Sequence, residues 1–201
     1  MNINSIESLR ALYAKPGERA LRKELPRLDQ HCRRMIELSP FAVIATVGAA
    51  DGADASPRGG APGFIKVLDD NTLLIPDAPG NNRLDSLENI IATQKVGLLF
   101  MVPGVDETLR INGVATLSRD PAYLHRCSDE RRVPKLVILV NVQQAYAHCA
   151  KALMRSRLWD ADSQVDADTL PTIGQMINDQ TGVQTAYESR TAMAKRYASD
   201  L

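Results

Sequence analysis

No apolar run in the sequence is long enough to cross a bilayer as a helix. The longest, VGLLFMV at 96–102 and LVILVNV at 136–142, fall well short of the ~20 residues such a helix needs, so no membrane partner is expected. Charge of one sign is not in surplus either: 24 Lys plus Arg stand against 24 Asp plus Glu. The chain therefore lacks the basic excess that counterion release from a nucleic-acid backbone rewards, and a dedicated nucleic-acid binder is disfavoured. Cysteine is scarce. Cys32, Cys127 and Cys149 show no Cys-x-x-Cys spacing, so neither a disulfide framework nor a zinc ribbon is legible. The opening MNINSIESLRALYAKPGERA mixes acids with Arg and Lys and contains no apolar secretion segment, which predicts a cytoplasmic protein. Gly-x-Gly-x-x-Gly, the phosphate-loop motif and the Gly-x-Ser-x-Gly elbow are also missing, so the common nucleotide folds and a serine hydrolase lose their main support.

What is present is enough apolar material for a core: 44% of 201 residues, which excludes a disordered chain. Residues 5–38 carry helical spacing, with Ile6, Leu9, Leu12 and Tyr13 and then Leu28, Cys32, Met35 and Ile36, before Ser39-Pro40 stops the run. From Phe41 the period changes. FAVIATVG is a β-branched strand followed by Asp51-Gly52, a hairpin signal. GFIKVLDDNTLLIPD predicts two strands around Asp69-Asp70-Asn71. NRLDSLENIIATQ returns to helix, with Leu84, Leu87, Ile90 and Ile91 on one face and Asn81 or Asn82 as N-cap. KVGLLFMVP and TLRINGVATL are strands, PAYLHRC is a helix opening on Pro121, and KLVILVNVQQAYAHC is the longest strand candidate. AKALMRSRLWD then predicts a basic helix that brings Ala152, Arg155 and Trp159 close in projection, and helices around TIGQMIND and TAMAKRYA complete the chain. About six strands with interposed helices predict a small antiparallel barrel rather than a doubly wound sheet.

Polar residues concentrate in three segments between strands: SPRGGAPGFIK (56–66), PDAPGNNR (76–83) and AHCAKALMRSRLW (147–159). Arg58, Lys66 and Arg83 fall at strand ends or a helix start, where fixed cations beside free backbone N–H groups suit a phosphate monoester. For any one of them taken alone, a solvated surface charge is the better reading, with SPRGG an ordinary turn; it is the three together in one small region that favour an anion site. His148 and Cys149 are adjacent on a strand and face opposite ways, and His125 and Cys127 face differently on a helix, so no metal site is expected. Trp159 either stacks on a ring or anchors a helix to the core. The pairs Arg33-Arg34 and Arg131-Arg132 have no interleaved aromatics and are expected to be solvated.

Four blocks in order, SPFAVIATVGAADGADASPRGG, GFIKVLDDNTLLIPDAPGNNRLDSLENI, KVGLLFMVPGVDETLRINGVATL and HCAKALMRSRLW, resemble the pyridoxamine 5′-phosphate oxidase-like family of FMN-binding split barrels, over roughly residues 30–180. The nearest subgroup is that of FMN-dependent enzymes without an assigned substrate. The resemblance implies a six-stranded antiparallel split β-barrel, mainly β with helices, that pairs as a homodimer with FMN in two interface clefts. Its implied divisions are a helical segment at 1–38, the barrel at 39–160 and a helical extension at 161–201 packed on the barrel. Lys66 matches the strand-end residue that binds the FMN phosphate, and Arg58 the basic residue upstream of it. Asn81, Asn82 and Arg83 align with the oxidases' Ser-Arg-Lys segment, of whose two cations only Arg83 survives. Thr108 aligns with a flavin-contacting Gln, and Arg110 lies on the same strand face. His148, Lys151, Arg155 and Trp159 of the second subunit would close the cleft, and the 56–59 turn would offer hydrogen bonds to the ring edge.

Two departures bear on function. Gly60 stands where the subgroup has an acidic residue, and Ala150 where a Pro is common. Vitamin B6 oxidation is not implied, because the oxidases' C-terminal substrate residues have no match. The expected activity is an FMN-dependent oxidoreductase acting on a small molecule, with NAD(P)H a candidate donor and no catalytic residue assigned. The alternative is a non-catalytic binder of flavin, deazaflavin or heme on the same barrel.

Overall fold

A computed structural model describes residues 2–50, 52–129, 132–186 and 188–198. The hairpin residue Asp51 and Arg131 of the second arginine pair lie outside these. Three short helices come first, α1 (Ile6–Arg10), α2 (Glu18–Arg22) and α3 (Gln30–Leu38). Only α3 buries side chains, Cys32 and Ile36, one turn apart on its inner face. Its start is fixed by Asp29, whose carboxylate accepts a 2.8 Å hydrogen bond from the Cys32 backbone N–H. That bond holds the Asp29 carboxyl below its usual range, and burial pushes the Cys32 thiol up to about 11.

A depressed carboxyl contributes stability above its unfolded value and loses it as pH falls through the folded value. Asp29→Ala is therefore expected to lower stability by about 1 kcal/mol at neutral pH. In urea titrations the gap to the native protein should close toward pH 3, and Asp29→Asn should retain most of the cap.

The strands are β1 (Phe41–Val47), β2 (Ala53–Gly59), β3 (Lys66–Val67), β4 (Thr72–Pro76), β5 (Lys95–Met101), β6 (Thr108–Ser118) and β7 (Val137–His148). Helix α4 (Asp85–Thr93) precedes β5, and α5 (Pro121–Arg126) precedes β7. Beyond β7 come α6 (Lys151–Ser156), α7 (Ile173–Thr181) and α8 (Arg190–Tyr197). All pairings are antiparallel, in the order β2-β1-β5-β6-β7-β4-β3. The sheet thus has seven strands, not six, because the short β3 pairs with β4 across the Asp69-Asp70-Asn71 turn.

Nor does the ladder close into a barrel, since β2 and β3 are its two unpaired edges. The chain nevertheless runs from Gly59 at one edge to Lys66 at the other in seven residue steps, a reach of at most about 25 Å. The sheet must curl to permit this. The connection is pinned where α3 meets β1: Gly60 N–H donates to the Pro40 carbonyl and Gly63 N–H to that of Ser39. Gly63 has φ +74°, and a Cβ there would sit 3.2 Å from the Glu37 carbonyl oxygen, so glycine serves both the turn and the close approach.

The curl encloses one apolar core. Ile44, Ile75, Leu98, Phe100, Leu109, Ile111 and Val140 come from five strands, and Ile36 of α3 and Ile90 of α4 seal it. A smaller cluster seats α5 through Cys127 on the outer face, against Leu74 and Val137.

Several expectations need correction. Residues 56–59 are not a turn but the end of β2, whose polar residues alternate at Asp54, Ser56 and Arg58. Helix α4 is capped by neither asparagine. Leu84 occupies the cap position at φ 62° with no side-chain bond, and Asn81 instead accepts from the Arg83 N–H. Ile91 is exposed, because the buried face of α4 runs through Ser86, Leu87 and Ile90. Helix α6 ends at Ser156, with Arg157 left-handed behind it, so Trp159 is not on the helix with Arg155. Arg190 knits the following segment together by donating to Asp168 and to the Ala167, Leu170 and Pro171 carbonyls, and the Ser163 hydroxyl ties it back to the Arg157 and Asp160 carbonyls. Among the described residues no helix is long and apolar enough to cross a membrane.

Candidate functional site

Alternation along β2 turns Asp54, Ser56 and Arg58 to its less exposed face. The Arg58 guanidinium is half-buried and donates to the adjacent Pro57 carbonyl at 2.8 Å. Burial lowers its proton affinity, and Asp77 and Asp54 offset part of that loss. Asp77 follows β4, the strand next to the β3 edge. Among the described residues no carboxylate lies within ion-pair distance of Arg58.

Beside Arg58 lies a polar network that the motif reading missed. The Asp54 carboxylate accepts from Ser86 at 2.7 Å, Thr46 at 3.3 Å and Ser56 at 3.4 Å. Asn89 donates to Thr46 at 3.0 Å. Thr46 and Ser86 are almost wholly buried, so these bonds satisfy groups that water cannot reach. The network ties the first turn of α4 to β1 and β2. Its sequence signal was the two-residue period of Asp54, Ser56 and Arg58.

The segment entering α4 presents Arg83 between two left-handed residues, Asn82 at φ 59° and Leu84 at φ 62°. Asparagine tolerates that region; leucine there costs on the order of 1 kcal/mol, and such strain clusters where a loop is shaped for a ligand. Arg83 is exposed and its Nε donates to Asp85 at 3.0 Å. Lys66, at the start of β3, donates to the Gly63 carbonyl at 2.8 Å. Its charge acts on Cys127, whose thiol is raised by burial and lowered in part by Lys66 and Arg126. No recorded hydrogen bond or ion pair joins Arg58, Lys66 and Arg83, which stand on three separate segments.

The structure does bring together the far ends of β6 and β7. Thr108 lies opposite His148, and Arg110 opposite Tyr146. The Tyr146 and His148 rings are 5.0 Å apart. Tyr146 is flanked by Arg110 at 5.9 Å and by Lys23 Nζ at 5.2 Å, and Lys23 also donates to the Ala147 carbonyl at 2.7 Å. Burial, then the charges of Lys23 and Arg110, hold the His148 imidazole below its ordinary range. Past β7, Arg155 Nε donates to the Lys151 carbonyl at 3.0 Å. Trp159 is half-buried and donates from Nε1 to the Val105 carbonyl at 2.9 Å, which fastens the tail to the β5–β6 connection. Nothing in the sequence pattern pointed to Lys23. Among the described residues no group of three or more His, Cys, Asp or Glu could hold a metal.

Chemically, this is a donor set of cations, hydroxyls and amides on a curled antiparallel sheet, suited to an anionic cofactor with a polar edge. The pyridoxamine 5′-phosphate oxidase family model matches residues 28–149, which takes in the whole sheet. The chain belongs to this family. Within it, the chain has the FMN-binding split-barrel fold. HupZ of Group A Streptococcus superposes with a TM-score of 0.50 at 20% identity, over 60% of this chain and 93% of that one. A protein of Syntrophomonas wolfei described as FMN-binding gives a TM-score of 0.45 at 11% identity, over 72% and 97%. An FAD-binding protein of Mycobacterium smegmatis gives 0.43 at 17%, over 62% and 97%. At these identities the likeness is one of fold. No curated protein matches the sequence.

Proposed function

We propose that this family member is an FMN-dependent oxidoreductase that works as a homodimer, with each FMN in a cleft between the subunits. The observation that carries the reading is Arg58, a half-buried cation on an edge strand of the family's fold with no carboxylate at ion-pair distance among the described residues. A half-buried cation without a close counterion has given up part of its hydration, and a phosphate would offset that loss.

Lys66, Arg83, Asn81 and Asn82 would hold the phosphate together with Arg58. The backbone of the edge strand at 56–59 and the side chains of Thr108 and Arg110 would meet the ring edge. The partner subunit's His148, the partner's Lys151, the partner's Arg155 and the partner's Trp159 would cover it and exclude water. When bound, the cofactor supplies hydride or electron transfer, and the chain supplies anchorage, orientation and the field around the ring.

A second reading, a non-catalytic binder of flavin, deazaflavin or heme, is favoured by one feature. Asp54, the carboxylate beside Arg58, already accepts from three hydroxyls, which leaves it poorly placed to exchange protons with a substrate.

Protein incubated with FMN and passed through a desalting column should retain flavin absorbance and elute at dimer mass in light-scattering chromatography. Anaerobic NADH or NADPH should then bleach the flavin. Failure to take up FMN would defeat both flavin readings, whereas uptake without reduction by any donor tried would favour the binder.

A further inference from the structure

The end of β6 and β7 carries a charge arrangement that anchoring a phosphate at Arg58, Lys66 and Arg83 does not use. Lys23 enters from the segment after α2 and Arg110 from β6, and both stand against the Tyr146 ring of β7. Among the described residues neither has a carboxylate within ion-pair distance. Arg110 is also held in a particular way. Its Nε donates to Asn112 Oδ1 at 3.2 Å, and the Asn112 amide in turn donates to Gln144 Oε1. This chain of amides fixes the plane of the guanidinium and occupies only one of its edges. The two terminal nitrogens, which form the fork that grips a carboxylate with two parallel bonds, have no acceptor among the described residues.

We propose that Lys23 and Arg110, set around Tyr146, form a binding site for the carboxylate of a small organic anion. It rests on the flavin reading only in identifying that anion as the substrate. Lys23 adds a second charge and three rotatable donors, of which one is engaged at Ala147. Tyr146 gives both cations an aromatic wall against which their stems are confined. The charged groups acting on His148 are these same two cations. A bound anion would offset them, which makes the imidazole a built-in reporter.

The test uses the full chain without cofactor. The His148 imidazole resonance, assigned by its loss in His148→Gln, is followed while benzoate is added, with uncharged benzamide as the control. Benzoate should give a saturable shift and raise the pH at which His148 titrates, and benzamide should do neither. Lys23→Met and Arg110→Met should each weaken benzoate by about tenfold or more with an unchanged circular dichroism spectrum. Absence of a saturable shift, or native affinity for benzoate in either variant, overturns the site.

A second arm adds FMN and, separately, riboflavin. If FMN blocks benzoate, whether or not riboflavin does so too, the cluster holds part of the cofactor rather than a separate anion and the proposal falls. If FMN does not bind at all and benzoate still does, the flavin reading fails and the anion site stands.

Discussion

Replacing Lys66 and Arg83 together by Ala is expected to weaken FMN binding by about two orders of magnitude or more. Charge-assisted hydrogen bonds contribute roughly 1.5–3 kcal/mol each, and every ~1.4 kcal/mol is tenfold in affinity. Two such bonds span about 3–6 kcal/mol, and the lower end is appropriate because Arg83 is exposed and already engaged by Asp85. Isothermal titration or fluorescence quenching of FMN would measure the loss. Riboflavin supplies the decisive control. It has the ring and lacks the phosphate, so its affinity should be almost the same in the native and doubly substituted chains. Equal losses for the two ligands would mean that the replacements damaged the fold or the ring pocket, and no loss for FMN would remove both residues from the anchor. Arg83→Lys should fall between, since it keeps the charge and gives up the planar fork. Arg58→Ala should weaken FMN further in the doubly substituted chain, because Arg58 would reach the same phosphate from a different strand.

The parts of this molecule readable in the sequence are those fixed by local periodicity. The alternation of Leu109 and Ile111 against Arg110 and Asn112 put Arg110 on the outward face of β6, where it is found. Pro121 opens α5 as expected, with Asp120 accepting from the Ala122 N–H, and the apolar run before His148 is the longest strand. Local pattern did not disclose the backbone around Arg83. Asn81 and Asn82 look like capping residues, but the chain turns through two left-handed positions and leaves the cap to Leu84. Leu84 keeps its positive φ with its side chain exposed and its carbonyl accepting from the Leu87 and Glu88 N–H groups, and no propensity announces that. The polar cluster of Asp54, Ser86 and Thr46 was hidden for a similar reason, because it joins residues that only the β1–β2 register and the seating of α4 bring together. Lys23 was beyond reach too. Its place beside Tyr146 depends on one isolated bridge, in which Leu25 and Ala145 exchange backbone hydrogen bonds.

The same dependence on pairing makes Gly113→Ala the most damaging single replacement expected in the sheet. The ladder between β6 and β7 shifts register between Asn112 and Gly113: Asn112 faces Gln144 whereas Gly113 faces Val142, so Gln143 is the extra residue of a bulge. The bulge brings the β7 backbone so close that a Cβ on residue 113 would lie 2.1 Å from the Asn141 carbonyl oxygen and 3.0 Å from its carbonyl carbon. No flexible side chain can yield there; the strand itself would have to move. A loss of about 3 kcal/mol or more is expected in urea titrations, a large part of the roughly 5–15 kcal/mol that holds such a domain together. Gly97→Ala is the matched control. It lies one strand away on β5, where an added Cβ meets Asn112 Oδ1 at 3.4 Å and Ala45 at 3.9 Å, which is ordinary contact. Its cost should be within about 1 kcal/mol of zero, with reduced freedom of the unfolded chain acting in its favour. The consequence of Gly113→Ala should extend beyond stability. Relieving the clash by removing the bulge would slip β6 one residue against β7 and turn Arg110 away from Tyr146. The variant should therefore lose the benzoate-induced shift at His148 even under conditions where it remains folded, while Gly97→Ala keeps it.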